Sequence, residues 1–419
     1  MIVTKINIVG LRVFELAELS FQPGMNLIVG VNGVGKSTVL DALRFCLSRI
    51  IPEMTVSRNQ KVPITDDDIR FGADVMQLSC DFLEENQEYN YIIHKPRFDT
   101  AEVTRIDTDE KKVVSTPDIE GGSQPFVEDA QRFRNRNNQP VVLFFSTRRS
   151  FTVDQKPSNP QSGQAAAYQD AFSINRDFNI REIANWLKAQ EALGEESPVI
   201  KKTVGTIQQA VRTFMPGYDH LHVDDSGGYN RLMLNKGAET LYVKQLSDGE
   251  RGVLSIVIEI ARRLAIANPE LENPCQEGKG IILIDELDLH LHPRWQRKIV
   301  DNLTRTFPEC QFIVSTHSPQ IIPTVEPEQV QVIRFGEIIQ PDRTYGMDSN
   351  WILKFIMEAN DRPKESDEAI KKVEALINEG KFSKARQEMS VLRADGYDLP
   401  DWSVLEARMA RMETIARKR

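Results

Sequence analysis

Residues Gly30-Val31-Asn32-Gly33-Val34-Gly35-Lys36-Ser37 carry the spacing G-x-x-x-x-G-K-[ST], that of a loop that wraps phosphate. Its glycines let successive backbone N–H groups turn inward without a Cβ in the way, and the helix that follows adds the partial positive charge of its N-terminus. Asn32, Gly33, Val34 and Gly35 supply the cradle, Lys36 is placed to reach the β- and γ-phosphates, Ser37 to ligate Mg2+, and Thr38 to bond the α-phosphate. Far downstream, the apolar run 281–284 ends in Asp285 and Glu286. Two adjacent carboxylates after such a run make sense if the strand is buried and its C-terminal edge faces a cation or water. Asp285 then holds Mg2+ through its water shell and Glu286 polarises the attacking water as general base, so the two motifs together point to Mg-dependent hydrolysis of ATP.

Two further groups take their meaning from a resemblance. Leu246-Ser247-Asp248-Gly249-Glu250-Arg251 resembles the LSGGQ-type signature of ABC ATPases, with Asp248 and Glu250 departing from the transporter consensus in the manner of soluble members. The resemblance implies a second anion site made of Ser247, Gly249, Glu250 and a helix N-terminus, contacting the γ-phosphate bound by the opposite subunit. The same residues also fit a Ser N-cap with Glu250 in the first helical turn. His317 matches the switch histidine of ABC enzymes, which touches the γ-phosphate. His290 and His292 fall in the stretch 287–293, which in ABC dimers lies along the partner, and without a third ligand they take no metal role. A glutamine loop should follow the strand 141–145, but the chain reads Ser146-Thr147-Arg148-Arg149 with Gln155 further on, which leaves the sensor residue open.

The elements that must position these groups follow from periodicity. Alternation at 2–8 and 16–21 and an apolar run at 25–29 read as strands, and 37–47 reads as a helix. Short alternating strands at 77–82, 89–94 and 102–108 suit an antiparallel flanking sheet. A Ser/Gln/Pro-rich loop covers 147–170, and helical spacing at 180–193 and 204–214 makes a short insert, without the sustained heptads of a coiled-coil arm. Strands near 221–223, 231–234 and 241–243 lead to a helix at 250–267, a strand at 280–284, a helix at 293–306 and a strand at 311–315. Strands alternating with helices imply a parallel sheet, so the expected fold is α/β: an ABC-type head with a mixed, largely parallel core sheet, an antiparallel flanking sheet, a helical insert and a helical tail. The expected divisions are 1–175, 176–217, 218–345 and 346–419. In the tail, Val373, Leu376, Ile377, Phe382, Ala385, Met389, Leu392, Leu405, Met409 and Met412 mark a helical hairpin plus one helix that docks on something.

Composition narrows the class. With 40% hydrophobic and 27% charged residues the 419-residue chain is an ordinary globular sequence, and runs such as 253–260 are too short to cross a bilayer of about 30 Å. The N-terminus alternates like a strand and lacks the pattern of a secretory signal, so the chain reads as cytoplasmic. Its four cysteines form no CxxC pair, against a zinc site or disulfide framework. A formal charge of -9 confines any nucleic-acid contact to local basic patches, with candidates Arg132, Arg134 and Arg136, then Arg148, Arg149 and Lys156, then residues 417–419. Each of these reads first as a solvated face and only second as a contact surface.

The motifs in order resemble the soluble branch of ABC ATPases that includes SMC-like repair proteins and OLD-type defence ATPases. The stretch 178–193 with Trp186, LSDGERG, IDELDLHLHPRWQ, STHSPQII and the charged C-terminal hairpin look like the PtuA-type ATPases of Septu anti-phage systems and related retron operons. That resemblance implies a homodimer or higher homo-oligomer with ATP and Mg2+ at its interface. It also implies an effector on another polypeptide, typically an HNH-type nuclease, and in retron settings a reverse transcriptase with its RNA and DNA. The tail after Arg343 is short and helical, unlike the Toprim domain of OLD nucleases, so no nuclease is expected in this chain. An alternative class is an SMC/RecF-like DNA-repair or DNA-clamp ATPase; the ATPase half of a transporter is disfavoured by the signature variant and the altered glutamine loop.

Overall fold

A computed structural model of the chain describes residues 1–97, 119–147, 163–174, 180–194, 198–334, 336–359, 364–397, 399 and 401–417. The expected strand at 102–108, Arg148, Arg149, Gln155, Lys156, Phe178, Lys418 and Arg419 lie outside the described residues. The chain divides into two compact units, Met1–Ser349 and Asn350–Arg419.

In the larger unit the strands run, in order, β1 (Ile2–Leu11), β2 (Phe14–Ser20), β3 (Met25–Val29), β4 (Val75–Glu84), β5 (Gln87–Pro96), β6 (Ile119–Gly122), β7 (Val141–Phe145), β8 (Tyr218–Asp224), β9 (Arg231–Lys236), β10 (Glu239–Tyr242), β11 (Gly280–Ile284), β12 (Cys310–Thr316), β13 (Val330–Arg334) and β14 (Glu337–Ile339). The helices that position the site are α1 (Lys36–Met54), α2 (Gln124–Arg134), α3 (Ile180–Gly194), α4 (Pro198–Phe214), α5 (Asp248–Ala267), α6 (Pro274–Glu277) and α7 (Pro293–Thr306).

The core is a six-stranded sheet of order β14-β13-β3-β12-β11-β7, parallel except for β14 at its edge. Every residue of β3, β7, β11 and β12 is buried, as parallel strands covered on both faces require. Register decides the rest: Val29 of β3 pairs with Thr316 of β12, and Val314 of β12 with Ile284 of β11. The chain therefore leaves all three strands at nearly one level, at the carboxyl edge where open α/β sheets bind ligands.

An antiparallel sheet of order β2-β1-β4-β5-β6 lies beside this core. Gln311 ties the two together, because its Oε1 accepts from Val3 N and its Nε2 donates to Val3 O, both at 2.8 Å. A buried amide thus takes the place of a strand partner and leaves none of those groups unpaired. Helix α2 rests on this sheet through Phe126 and Phe133, whose rings meet Phe82 at 5.3 Å and Tyr89 at 5.7 Å. It was absent from the periodicity reading, although Ser123, Pro125 and the spacing Phe126, Ala130, Phe133 carry a helix start and an apolar stripe.

Helix α1 continues past residue 47, the end of the expected helix, to Met54. Ser48 and Arg49 are buried rather than terminal: Ser48 Oγ donates to Phe45 O and accepts from Val62 N, while Arg49 donates to Glu120, Phe45 O and Val62 O. The candidate basic patch at 132–136 is likewise changed by its partners. Arg132 donates to Glu85 and Asp129, and Arg136 to Glu84, with Glu85 also paired to it, so both are engaged by carboxylates. The insert does not project: α4 packs against α5 and α7, with Phe214 stacked on Trp295 at 6.4 Å. The four cysteines are buried and unbridged. No helix among the described residues is long and apolar enough to cross a membrane.

The smaller unit has its own core. Helices Lys364–Asn378, Phe382–Ala394 and Asp401–Arg417 bury Val373, Ile377, Ala385, Met389, Leu405 and Met409 around Trp402. Trp402 is fully buried and donates from Nε1 to Tyr397 O, so the third helix docks on the hairpin of its own unit. Replacing Trp402 with Ala should destabilise this unit by about 3–5 kcal/mol. Hydrogen exchange followed by mass spectrometry should show faster exchange in 364–378 and 382–394; unchanged protection there would remove Trp402 as the keystone.

Candidate nucleotide site

Strand β3 runs directly into the phosphate loop. Gly33 and Gly35 take φ of 82° and 114°, backbone that side-chain-bearing residues rarely adopt, and a Cβ on Gly35 would come within 2.7 Å of the Phe14 ring. Helix α1 then begins with no side-chain cap and no acidic residue in its first turn. The N–H groups and positive end of that helix therefore meet no capping carboxylate, which is the arrangement a phosphate completes. Lys36 Nζ donates to Gly30 O at 3.1 Å and Val31 O at 3.0 Å. Burial lowers its pKa, while the charges of Asp285, Glu286 and Asp288 act in the opposite direction. An ammonium resting on two neutral carbonyls fits exchange for phosphate oxygens.

The acid pair meets this loop from β11. Ser37 Oγ donates to Asp285 Oδ2 at 2.9 Å, and Ser315 Oγ on β12 donates to Asp285 Oδ1 at 2.6 Å. Ser315 Oγ also accepts from Glu286 N at 2.7 Å. One buried hydroxyl thus fixes the first carboxylate by its side chain and the second by its backbone. Glu286 itself takes φ of 51°, so the chain turns sharply there instead of extending the strand. For a residue with a Cβ that conformation persists only where the surroundings over-determine it, and it concentrates at functional sites.

The donor set fits Mg2+. Ser37 and Asp285 offer hard oxygen, and Mg2+ takes one or two protein oxygens, with waters and substrate phosphates completing its shell. A shared protein and phosphate shell is therefore the arrangement these two oxygens suit.

His317 follows β12. Its Nε2 is buried with no hydrogen-bond partner among the described residues, while its backbone N–H donates to Asp288 at 3.1 Å. A buried polar atom left unsatisfied calls for an acceptor or donor from outside, and a γ-phosphate oxygen beside Lys36 is of the right kind.

The signature group is organised differently. Ser247 caps α5: its Oγ accepts from Glu250 N at 3.3 Å and donates to Glu250 Oε2 at 2.8 Å, and that carboxylate also accepts from Ser247 N at 3.0 Å. Tyr218 Oη donates to the other oxygen at 2.7 Å. Burial alone would push the Glu250 carboxyl up, but these hydrogen bonds outweigh it and hold the pKa below the usual range. Glu250 therefore serves a reciprocal capping box. Gly249 has a packing reason for lacking a side chain, since a Cβ would lie 2.4 Å from His290 O. His290 takes φ of 61°, and His292 caps α7 by accepting from Arg294 N at 3.2 Å. Among the described residues, no hydrogen bond or ion pair of Ser247 or Glu250 reaches residues 30–38.

Lys36, Ser37, Asp285, Glu286 and His317 are thus gathered at one sheet edge, while Ser247, Gly249 and Glu250 belong to a separate helix start. Sequence reasoning missed Ser315 and Arg12. Ser315 stands at the end of an apolar run adjacent in the sheet to the acid strand, a signal visible only once that pairing is assumed. Arg12, at φ 46°, pairs with Asp41 at 2.7 Å and Asp68 at 2.8 Å, bracing α1 just beyond the phosphate loop; no motif marks it.

Burial, then the charge of Lys36, lowers the pKa of His317 from its ordinary 6.5, against the raising effect of Asp288, Glu286 and Asp285. His317 is therefore neutral at pH 7, and the stability it contributes while neutral is lost as pH falls below 6.5 and through the lower folded-state value. NMR titration of labelled histidines should find His317 below 6.5 in the free protein and higher when triphosphate is bound; a free-protein value at or above 6.5 contradicts this placement.

Comparison with known proteins adds to this geometry. A family model described as "AAA domain, putative AbiEii toxin, Type IV TA system" matches residues 25–322. The chain is similar to a retron Vc95 probable ATPase of Vibrio cholerae serotype O1 biovar El Tor, 27% identical over 87% of this chain and 81% of that protein. It is also similar to a Septu protein PtuA of Bacillus thuringiensis, 23% identical over 85% of this chain and 83% of that one. Among solved structures, an SMC head domain from Thermotoga maritima aligns with a TM-score of 0.44 at 14% identity, covering 82% of this chain and 100% of that chain. With a match over residues 25–322, which takes in 30–38, 246–251, Asp285, Glu286 and His317, the chain belongs to the AAA-domain family of ATPases.

Proposed function

We propose that this chain is the ATP-binding and ATP-hydrolysing subunit of a bacterial anti-phage defence complex, that two copies close around two nucleotides, and that the assembly regulates a separate nuclease effector of HNH type. The observation that carries the ATPase part is the hydrogen-bonded group Ser37, Asp285, Ser315 and Glu286 set beside Lys36 and His317. Similarity to the retron ATPase and to Septu PtuA supports the defence setting.

In this reading the α1 N-terminus and Lys36 hold the phosphates, with Lys36 exchanging the carbonyls of Gly30 and Val31 for phosphate oxygens. Ser37 and Asp285 hold Mg2+, which when bound neutralises charge on the phosphate oxygens. Glu286 takes a proton from the attacking water at its carboxylate, and His317 Nε2 holds the terminal phosphate. Ser247, Asp248, Asn32 and Gly33 are exposed, so the α5 start of one copy and the phosphate loop of another are free to face each other. The capping bonds of Ser247 do not prevent that, because the first N–H groups of α5 remain available to an anion.

Glu286→Gln should keep ATP affinity and, by mass measurement in solution, hold an ATP-dependent dimer, while steady-state turnover falls about 100-fold or more. Turnover equal to wild type would remove Glu286 as the base. Lys36→Ala should lose nucleotide binding outright, and unchanged affinity would remove the phosphate-loop assignment. Co-purification with the products of neighbouring genes tests the effector: an HNH nuclease in the complex supports the defence reading, and a complex built on DNA ends alone replaces it with the repair-clamp alternative.

A further inference from the structure

The loop between the acid pair and α7 holds a third carboxylate for which the proposed chemistry has no use. Asp288 Oδ1 accepts from Thr316 Oγ1 at 2.6 Å and from His317 N at 3.1 Å. A single carboxylate oxygen therefore grips Thr316, the last residue of β12, and His317 immediately after it. The next residue is gripped as well: Ser318 Oγ donates to Gln296 Oε1 at 2.8 Å, and Gln296 Nε2 donates to Leu291 O at 2.9 Å. The loop is closed on itself by Leu289 N to Glu286 O and Leu291 N to Asp288 O, both at 3.0 Å. His317 is thus held between two anchors on the segment that starts at Glu286, and its buried Nε2 has no partner of its own among the described residues to fix the ring.

We infer that Asp288 is a positioning residue: it fixes the backbone of Thr316 and His317 so that the imidazole meets the terminal phosphate. The inference rests on the reading of the site as one for ATP hydrolysis. Asp288 does not touch the nucleotide in this account. It acts through His317, by a charge-assisted pair of hydrogen bonds that are stronger than neutral ones and share one acceptor. A residue with that role affects the chemical step more than ground-state binding, because the phosphate loop and Lys36 still grip the triphosphate.

The test is steady-state ATP turnover by the full chain carrying Asp288→Ala, Asp288→Asn, His317→Ala, the double change Asp288→Ala with His317→Ala, and Thr316→Val. Asp288→Ala should lower kcat at least about ten-fold with KM for ATP within about three-fold, since a misplacement of about an ångström costs up to 100-fold in rate. Asp288→Asn keeps an oxygen acceptor for both donors and should recover at least about a third of wild-type kcat, and Thr316→Val, which removes one donor at constant shape, should fall between. The double variant should be no slower than His317→Ala alone, the signature of two residues acting as one unit. Wild-type kcat in Asp288→Ala overturns the inference, as does multiplication of the two losses in the double variant. If Asp288→Ala does not fold, Asp288→Asn as slow as His317→Ala, or Thr316→Val as fast as wild type, overturns it as well. Glu286→Gln run alongside separates the two levels: wild-type turnover in that variant discards the hydrolysis reading itself, whatever Asp288 does.

Discussion

The hydrogen bond between Ser37 and Asp285 joins residues 248 positions apart in sequence, and everything else in the larger unit serves to make it possible. One partner is the first hydroxyl of α1 and the other the first acid after β11, so the bond forms only if both strands leading to them end level at one edge of the sheet. The parallel register of β3, β12 and β11 sets that level. A slip of one residue in β12 would turn Ser315 to the opposite face of the sheet and release both acids from its hydroxyl.

The site combines order with local strain. Gly35 at φ 114°, Glu286 at φ 51° and His290 at φ 61° mark three places where the backbone departs from the regular elements on either side. Such departures persist because neighbours hold them: Ser315 holds Glu286, and Gln296 and the first turn of α5 hold the loop around His290. The signature helix is in this way mechanically next to the acid pair in the same chain, although its serine makes no bond to the phosphate loop among the described residues. The capping of this helix start is satisfied by Ser247 and Glu250.

Much of this was legible in the sequence, for reasons that differ by residue. The phosphate loop and the acid pair could be read because their chemistry demands fixed spacing and an apolar run on the correct side, and neither demand depends on the rest of the fold. The buried strands β7 and β11 were visible as continuous apolar runs, and β3 and β12 as largely apolar ones interrupted by Asn26 and by Gln311. What could not be read was anything set by a distant partner. The true end of α1 depends on Glu120 and Val62 accepting from Arg49, and the state of Arg132 and Arg136 depends on Glu84 at the end of β4, Glu85 just after it and Asp129 of α2. Ser315 and Asp288 gain their roles only when β12 is laid beside β11. Trp402 was not among the apolar positions picked out by helical spacing, because it stands at the start of its helix and fills the hairpin core from there.

The central claim is that the phosphate loop and the acid pair form one Mg-nucleotide site completed by a second copy of the chain. A structure of the full chain with Mg2+ and a non-hydrolysable ATP analogue tests it most directly. The account predicts that Lys36 leaves the carbonyls of Gly30 and Val31 for the phosphates, that the metal enters between Ser37 and Asp285, and that Ser247 of a second copy lies against the terminal phosphate. Nucleotide bound elsewhere, with Ser37 still donating directly to Asp285, would contradict it.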